Sequence, residues 1–520
     1  MQSAGHKGAR LIAALAAMLV LSAALTACGS GDSGDGAAAS EPMQLKVMVF
    51  NIEYGGTLVS FKKVVEAVKK AAPDVVGIEE AETSTPRLAK LAGYPYYNSS
   101  MQIVSRYPIL EPSGADGVYA FIEVQPGKVV AISNVHLPSD PYGPYWVRDG
   151  KSVEQVLALE NRLRIPAIQK QVEVLPRLAE RGSPVFITGD FNEPSHLDYT
   201  AAAVGTRKEI KYVVEWPVSK ALAGAGFRDS YREANPDPVK DPGLTWWAAR
   251  PKVAAWAGNP TAKDSQDRID YVYAAGPSKT VSSVIVGEEG DPSVAYSVSP
   301  WPSDHRAVLS TFEVRPAPMP VLVATNKWLL TAGEPLVVTY HSPAKGGEKV
   351  QVTPAEGKPA PGMEKAAAAT DGRVTFDTAP LVPGAYEASL VGEDGVTLTS
   401  TPFWVRARGA KVQLTTDKRT YAVGEPIVVD WRDAPADRWD WLGVYKASAA
   451  DPAVDYYLIW QYTGGAMAGT VHGMPAGALS MDDATTEGKP WPLPAGKYVV
   501  YYLLADAYEA VAHADFTVVK

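Results

Sequence analysis

Ile187-Thr188-Gly189-Asp190-Phe191-Asn192 follows the apolar run Pro184-Val185-Phe186 and precedes Glu193-Pro194-Ser195-His196. A short β-branched and aromatic run that stops in Gly-Asp reads as a buried strand delivering Asp190 and Asn192 to a loop. Strand alternation sends Asp190 and Asn192 to one side and Phe191 to the other. A carboxylate and a carboxamide on one side of a strand end can align and deprotonate a water. Gly-Asp is also a common turn and Asn a common helix cap, so the hexapeptide takes its meaning from the rest of the chain.

Outward from this stretch the same pattern recurs. Residues 45–50 run apolar into Asn51-Ile52-Glu53 and Gly55-Gly56, a strand ending in a carboxamide and a carboxylate on one side. Phe61, Val64, Val65 and Val68 fall on one face of a helix, with Lys62, Lys63, Glu66 and Lys69 opposite, and Pro73 closes it. Residues 74–78 predict another strand. Glu79-Glu80 at its end reads in isolation as a solvated turn. Residues 129–137 predict a strand with His136 in its last turn, where a lone histidine is more often structural than catalytic. After a Pro/Tyr/Trp-rich loop at 138–146 comes an amphipathic stretch, 153–179, in which Pro166 and Pro176 are expected to kink or break the helix.

Trp246, Trp247 and Trp256 precede Asp267-Arg268-Ile269-Asp270-Tyr271. Asp270 is flanked by apolar residues and needs a partner there. Pro302-Ser303-Asp304-His305 supplies one, because an aspartate beside an imidazole fixes its tautomer and raises its basicity. His196 reads as a loop histidine bonded to backbone. Strands and helices thus intermingle over roughly 270 residues, as in one α/β domain, and the polar exceptions fall at strand ends.

The 520 residues are too many for one ordinary core, so several domains are expected. Hydrophobic content of 46% and charged content of 21% are those of a folded, soluble protein. A net charge of −9 offers no global attraction to nucleic acid or anionic lipid, which leaves room for a locally basic groove.

Phe50-Asn51-Ile52-Glu53, Gly77-Ile78-Glu79-Glu80, Ser105-Arg106-Tyr107-Pro108, Asn134-Val135-His136-Leu137, Gly189-Asp190-Phe191-Asn192, Arg268-Ile269-Asp270-Tyr271 and Ser303-Asp304-His305 occur in the order seen in the endonuclease/exonuclease/phosphatase superfamily, the fold of pancreatic deoxyribonuclease. Each motif is weak alone, and their shared order carries the resemblance. It covers residues 44–315 and implies an α/β four-layer sandwich, two central β-sheets flanked by helices, with metal-dependent attack of water on a phosphate ester. By resemblance, Asn51, Glu80 and Asp304 surround the main divalent cation, and Asp190 with Asn192 positions the attacking water. His305, held by Asp270, would donate to a non-bridging oxygen or handle a proton, and His136 would stand near the leaving group. Hard oxygen ligands suit Mg²⁺, with Mn²⁺ or Ca²⁺ as substitutes. Glu79 departs from the glutamine of many members. Glu53 reads as a turn residue, the alternative being a carboxylate for a second metal or one supporting the first. An aromatic before the Arg-Ile-Asp motif can contact substrate in the nuclease branch, which makes Trp247 a substrate-binding candidate, although core packing explains most tryptophans.

Pro316 to Pro320 marks a linker. Beyond it Thr325-Asn326-Lys327 and Gly333-Glu334-Pro335 return as Thr416-Asp417-Lys418 and Gly424-Glu425-Pro426, roughly 90 residues later, close to the length of one immunoglobulin-type sandwich. Strand alternation and frequent turns predict consecutive all-β immunoglobulin-like sandwiches at 320–407 and 410–520. The second carries Trp439-Asp440-Trp441 and Tyr456-Tyr457-Leu458-Ile459-Trp460, which look like the SKICH module of some inositol polyphosphate phosphatases. That likeness implies a docking module with its own ligand; the plainer reading is a spacer between surface and catalyst.

Lys7 and Arg10 precede an apolar stretch, 11–25, that ends in Leu25-Thr26-Ala27-Cys28. A charged start, a short apolar run and small residues at its end describe a secretory signal, and Leu-x-Ala-Cys resembles a bacterial lipobox. Residues 1–28 are thus expected to be a lipoprotein signal peptide in which Cys28 is lipidated, with 29–43 a flexible tether. Cys28 is the only cysteine, so no disulfide and no catalytic thiol are expected. The expected protein is a monomeric, Mg²⁺-dependent phosphohydrolase anchored on the bacterial cell surface, a phosphodiesterase in preference to a phosphomonoesterase on inositol phosphates. A nuclease is the best-defined diesterase option. From another class, the alternative is a non-catalytic adhesion or docking protein on an inactive catalytic scaffold.

Overall fold

In chain order the first unit of the computed structural model contains β1 (Met43–Asn51), α1 (Phe61–Ala71), β2 (Val75–Glu79), α2 (Thr85–Ala92), β3 (Tyr96–Asn98), β4 (Ile103–Ser105), β5 (Ile109–Leu110), β6 (Ala120–Gln125) and β7 (Lys128–His136). It continues through α3 (Gly143–Arg148), α4 (Val153–Glu180), β8 (Val185–Asp190), α5 (Pro217–Gly224), β9 (Arg228–Asp229), α6 (Ser230–Ala234), β10 (Asp270–Ala275), β11 (Ser278–Glu288), β12 (Val294–Val298), β13 (Ala307–Val314) and β14 (Ala317–Pro318). The structure describes residues 41–520 apart from 255–257, 262, 343–345, 356–361, 449–450, 466–471 and 483–490. The signal and lipobox with Cys28, nearly all of the tether, and Trp256 lie outside the described residues.

One mixed sheet runs β12-β11-β13-β1-β2-β4-β3; the other runs β5-β6-β7-β8-β10-β9, with β14 added beside β7. Alternation along the strands sorts side chains into layers. In β1, Leu45, Val47 and Val49 enter the core between the sheets, where they join Ile122, Val130, Phe186 and Val272 from the other sheet. Met48 and Phe50 point the other way and pack with Phe61, Val64 and Val68 of α1. On the far side, Val185 and Ile187 of β8 meet Ala167, Ile168 and Leu175 of α4. Two mixed sheets face to face with helices outside match the layering expected of the first unit. The sheets approach closely at Gly77, where a Cβ would stand 2.0 Å from Thr188 Oγ1 and 2.2 Å from Asn134 Oδ1. Only glycine fits there.

α4 corrects one half of an expectation, the break. It runs unbroken for 28 residues through Pro166 and Pro176. Each proline removes one N–H from the ladder, but the face carrying Leu159, Ala167, Ile168 and Leu175 is buried, and tertiary packing outweighs the local loss. A capping box between Ser152 and Gln155 fixes its start. The stretch at 316–320 is likewise no free linker. Ala317 and Pro318 pair with Val129 and Lys128, Met319 N–H donates to Gly127 O at 2.9 Å, and Met319 is buried.

The repeat predicted in the carboxy-terminal half appears as identical strand topology. The first copy pairs a three-stranded sheet, Leu322–Thr325, Pro335–His341 and Asp371–Asp377, with a five-stranded one, and the second does so with Gln413–Thr416, Ile427–Arg432 and Gly477–Met481. Each copy encloses its own apolar core. Tyr386 donates to Val382 O at 2.8 Å and Tyr498 to Pro494 O at 2.6 Å, the same clasp at the same place in both copies.

Candidate active site

Parallel strands bring their carboxyl ends to one edge, and antiparallel neighbours bring their amino ends to it. β1 and β2 are parallel, with Asn51 opposite Glu79; β7 and β8 are parallel, with His136 opposite Asp190. β10 is antiparallel to β8, so its first residue, Asp270, stands opposite Asp190. β13 is antiparallel to β1 and begins just after His305. Ser303 ties that loop to the sheet: its hydroxyl donates to Asn51 O at 2.7 Å and accepts from His305 N–H at 3.0 Å. Residues up to about 250 positions apart in sequence thus share one edge because of strand direction.

Asp190 is the hub. Its Oδ2 accepts from Asn51 Nδ2 at 3.1 Å and lies 3.6 Å from Nε2 of both His136 and His305. Its Oδ1 accepts from Asn192 N–H at 2.9 Å. Behind His305, Nδ1 meets Asp270 Oδ2 at 3.0 Å, which turns Nε2 toward Asp190 and toward Asp304 Oδ1, 4.0 Å away. Burial works against an imidazolium, yet Asp270, Asp190 and Asp304 together hold the His305 pKa well above its ordinary value. Burial also pushes Asp190 up to about 6, with Asp270 adding to the shift and the histidines pulling against it. A carboxylate in that range is poised as a base near neutral pH, and the charged imidazole beside it is a donor.

A second group of acids lies on the other side of Asn51, whose Nδ2 also donates to Glu80 Oε1 at 3.0 Å. Glu53 is buried, Arg250 donates to its Oε1 at 2.6 Å, and its Oε2 accepts from Asp304 N–H at 3.1 Å. Asp304 Oδ2 accepts from Trp246 Nε1 at 3.2 Å. Burial and then Asp304 push Glu53 up to about 8 against the pull of Arg250, and Glu80 adds to that shift. Asp304 is raised by burial and by Glu80. Three carboxylates around one carboxamide, with one guanidinium to balance them, form a hard-oxygen donor set that lacks positive charge. The residues present therefore fit a divalent cation, held by Glu80, Asp304 and Asn51. Asp190, Asp270 and His305 also gather their ligand atoms within 4.8 Å of one another. Because Nδ1 of His305 is engaged with Asp270, that trio is better suited to holding a proton.

Every predicted site residue except Cys28, which lies outside the described residues, reaches this edge or its rim, but several do so differently from the reading of the strands. β8 ends at Asp190 and Asn192 has φ +49°, so alternation does not place it. Its side chain is instead pinned by donation to Leu137 O at 3.0 Å. Glu79 is no solvated turn residue. It is fully buried, and burial first, then Asp270 and Asp190, push its carboxyl well above the ordinary range. A protonated glutamic acid is a near isostere of glutamine, which resolves the departure from the family pattern at this position. Glu53 is a turn residue with φ +56° and also the clamp on Arg250 and Asp304. Trp247 stacks on Trp246 at 4.5 Å, and it is Trp246 that touches Asp304. His196 is held by Ser219, its N–H and Nδ1 each 2.9 Å from that hydroxyl. Arg250 escaped the sequence reading, since a lone arginine in a Trp-rich loop has no periodic signature.

Two packed sheets with helices outside and a carboxylate, carboxamide and histidine cluster along one edge define a hydrolase-type α/β core. Residues 48–305 match the endonuclease/exonuclease/phosphatase family, and through them the chain belongs to that family, whose members hydrolyse phosphoric esters. It is 30% identical over 291 residues to an uncharacterized protein of Caenorhabditis elegans, a match spanning 52% of this chain and 91% of the relative. Among solved structures, an endonuclease/exonuclease/phosphatase from Beutenbergia cavernae aligns with TM-score 0.32 and 18% identity over 69% of this chain and 99% of that one. The D. rerio protein TDP2, complexed with a single-strand DNA product, aligns with TM-score 0.32 and 16% identity over 52% of this chain and 98% of that one.

Proposed function

We propose that the chain is a divalent-metal-dependent phosphodiesterase, with Mg²⁺ the natural ion, working from the bacterial cell surface. The observation that carries this reading is the convergence of Asn51, His136 and His305 on one oxygen of Asp190. Asp190 takes the proton of a water that Asn192 helps to place. The water oxygen bonds to phosphorus, the phosphorus–oxygen bond to the alcohol breaks, and a proton reaches the departing alcohol from the His136 side. His305, kept charged by Asp270, donates to a non-bridging oxygen as negative charge grows there. Glu80, Asp304 and Asn51 hold the cation, which when bound neutralises phosphate charge. Trp247 lies at the rim, where a substrate group can rest.

Activity with Mg²⁺ on bis-p-nitrophenyl phosphate, p-nitrophenyl phosphate, plasmid DNA, sphingomyelin and inositol hexakisphosphate tests the reading. Turnover of diesters supports it. Turnover of monoesters alone would replace it with a phosphomonoesterase acting on inositol phosphates or similar esters, and no turnover would favour a non-catalytic surface protein. Anchoring rests on the Leu25-Thr26-Ala27-Cys28 lipobox. Among the described residues no helix is long and apolar enough to cross a membrane. Cys28→Ala is expected to move the protein from the membrane fraction to the medium, measured by fractionation; retention would refute the lipid anchor. The carboxy-terminal sandwiches are read as immunoglobulin-like, the second with SKICH-type aromatic stretches.

A further inference from the structure

The second β-sandwich is seated directly beside the candidate active site. Arg438 is fully buried and donates to Asn134 O at 3.0 Å, two residues before His136 on β7. Trp439 Nε1 donates to Ser100 O at 2.8 Å, and His472 Nε2 meets Glu111 Oε1 at 2.6 Å. A buried arginine at such a seam fixes the position of the sandwich, because withdrawing it would strand the carbonyls it caps.

Along the seam lies a small open cavity of about 120 Å³, with His136 on one wall and Trp441, Tyr457, Trp460, Asp506 and Tyr508 on the other. Trp441 stands near a right angle to its neighbours, at 76° to Tyr457, 88° to Trp460 and 89° to Tyr508, and Tyr457 is tilted 66° from Trp460. Asp506 is aimed by its backbone. It and Ala505 both hold positive φ, +63° and +48°, while Asp506 N–H donates to Trp439 O at 2.8 Å and Tyr462 donates to its carboxylate at 2.7 Å. Consecutive non-glycine residues in the left-handed region are costly and persist where the surroundings hold them. Among the described residues, no lysine or arginine lines the cavity.

These features select among ligands. A polyanionic leaving group, such as a nucleic-acid strand or an inositol polyphosphate, would meet a carboxylate with His136 and no lysine or arginine to balance it. A flat base is best held between parallel rings, and these are perpendicular. Perpendicular ring faces plus one carboxylate form a box for a compact, weakly hydrated organic cation. We propose that this cavity is a subsite for an ammonium or quaternary ammonium group on the alcohol esterified to the phosphate, so that the substrates are zwitterionic phosphodiesters. This rests on the phosphodiesterase reading above for its chemistry, but the subsite is testable without turnover.

The test is titration calorimetry of the full chain with choline and with its neutral isostere 3,3-dimethyl-1-butanol. Choline is expected to bind about tenfold more tightly, the scale of one desolvated cation–π contact. The preference should fall toward unity in Asp506→Asn, and choline binding should weaken in Tyr508→Leu, a second variant that keeps the test decisive should the first not fold. Equal affinity for the two alcohols, saturation by neither, or an unchanged preference in both variants would overturn the subsite. Hydrolysis of glycerophosphocholine compared with phosphatidylcholine vesicles then tells a soluble ester from a lipid headgroup, and preference for either over bis-p-nitrophenyl phosphate supports the proposal. If choline binds as expected and no ester is hydrolysed, the phosphodiesterase reading fails and the subsite stands.

Discussion

Asp198 and Asp229 are buried in the catalytic unit, as Asp190 and Asp270 are, yet the two pairs are balanced in opposite ways. Arg268 sits between the first two, 2.9 Å from Asp198 and 2.7 Å from Asp229, and Arg232 adds a contact to Asp198 at 2.7 Å. Against the cost of burial, these guanidinium groups hold Asp198 below the usual carboxylate range. Among the described residues no arginine or lysine pairs with Asp190, which faces two histidines, a carboxamide and the Asn192 N–H, and its carboxyl is raised to about 6. A buried acid matched by arginine serves the fold and needs nothing more. One left short of positive charge is unfavourable for the empty protein and becomes favourable only when a cation or a reacting phosphate arrives. The two regions therefore separate stability from chemistry within one domain, and substitution should pull them apart.

The largest effect is expected at the hub. Asp190→Asn or His305→Ala should lower kcat about 10³- to 10⁴-fold; Asp190→Asn should leave the melting temperature level or raise it, because it removes a negative charge from an acid-rich cluster, whereas His305→Ala should lower it by leaving Asp270 buried without its partner. Steady-state kinetics with calorimetry on the same samples checks both halves; full activity in either variant would show that the roles are misassigned. Arg268→Met should do the reverse. Leaving Asp198 and Asp229 buried together without their shared partner should cost about 3–5 kcal/mol in urea unfolding, with activity per folded molecule little changed. A variant as stable as the wild type would break the comparison at its structural end. Smaller again is the linkage to metal. Mg²⁺ at a hundredfold excess over its Kd should stabilise the wild type by about 2.7 kcal/mol. Glu80→Gln should lose that increment, and EDTA should abolish activity. Equal stabilisation of both proteins by Mg²⁺ would move the ion away from Glu80.

Much of the hub was legible in the sequence because strand ends are local signals. An apolar run that stops in Asn, Glu, His or Asp marks where a sheet edge meets solvent, and pairing direction did the rest. Parallel β1–β2 and β7–β8, with β10 and β13 reversed, gather residues from Asn51 to His305 at one edge. Contacts that depend on loops crossing that edge were not legible. Arg250 reaches Glu53, and Trp246 reaches Asp304, from a segment without period. α4 overrode the helix-breaking tendency of Pro166 and Pro176, since a whole buried face outweighs two missing hydrogen bonds. The aromatic stretches of the second sandwich were visible as unusual, but their neighbour His136 is some 300 residues away and no local pattern encodes such a contact.

Glu79 offers the finest test of the contrast, since it is an acid in the site that the fold keeps neutral. Its carboxyl is pushed well up by burial, then by Asp270 and Asp190, with His305 offsetting part of the shift. A folded-state pKa above the unfolded value means that the proton is bound more tightly in the native protein. The corresponding stability is fully present below the unfolded pKa, near 4.5, and is lost as pH rises through the folded one. Glu79→Gln supplies a neutral group of the same shape at every pH. It should therefore match the wild type near pH 4 and exceed it at pH 8, by up to about 1.4 kcal/mol for each pH unit above the unfolded pKa over which the native carboxyl stays protonated. Catalytic activity should stay within a few-fold, because a neutral side chain already stands there. Urea unfolding at the two pH values reads the difference. A variant that loses stability at pH 8, or whose activity collapses, would show that Glu79 is ionised and that the arginine-free acids form one charged cluster with it.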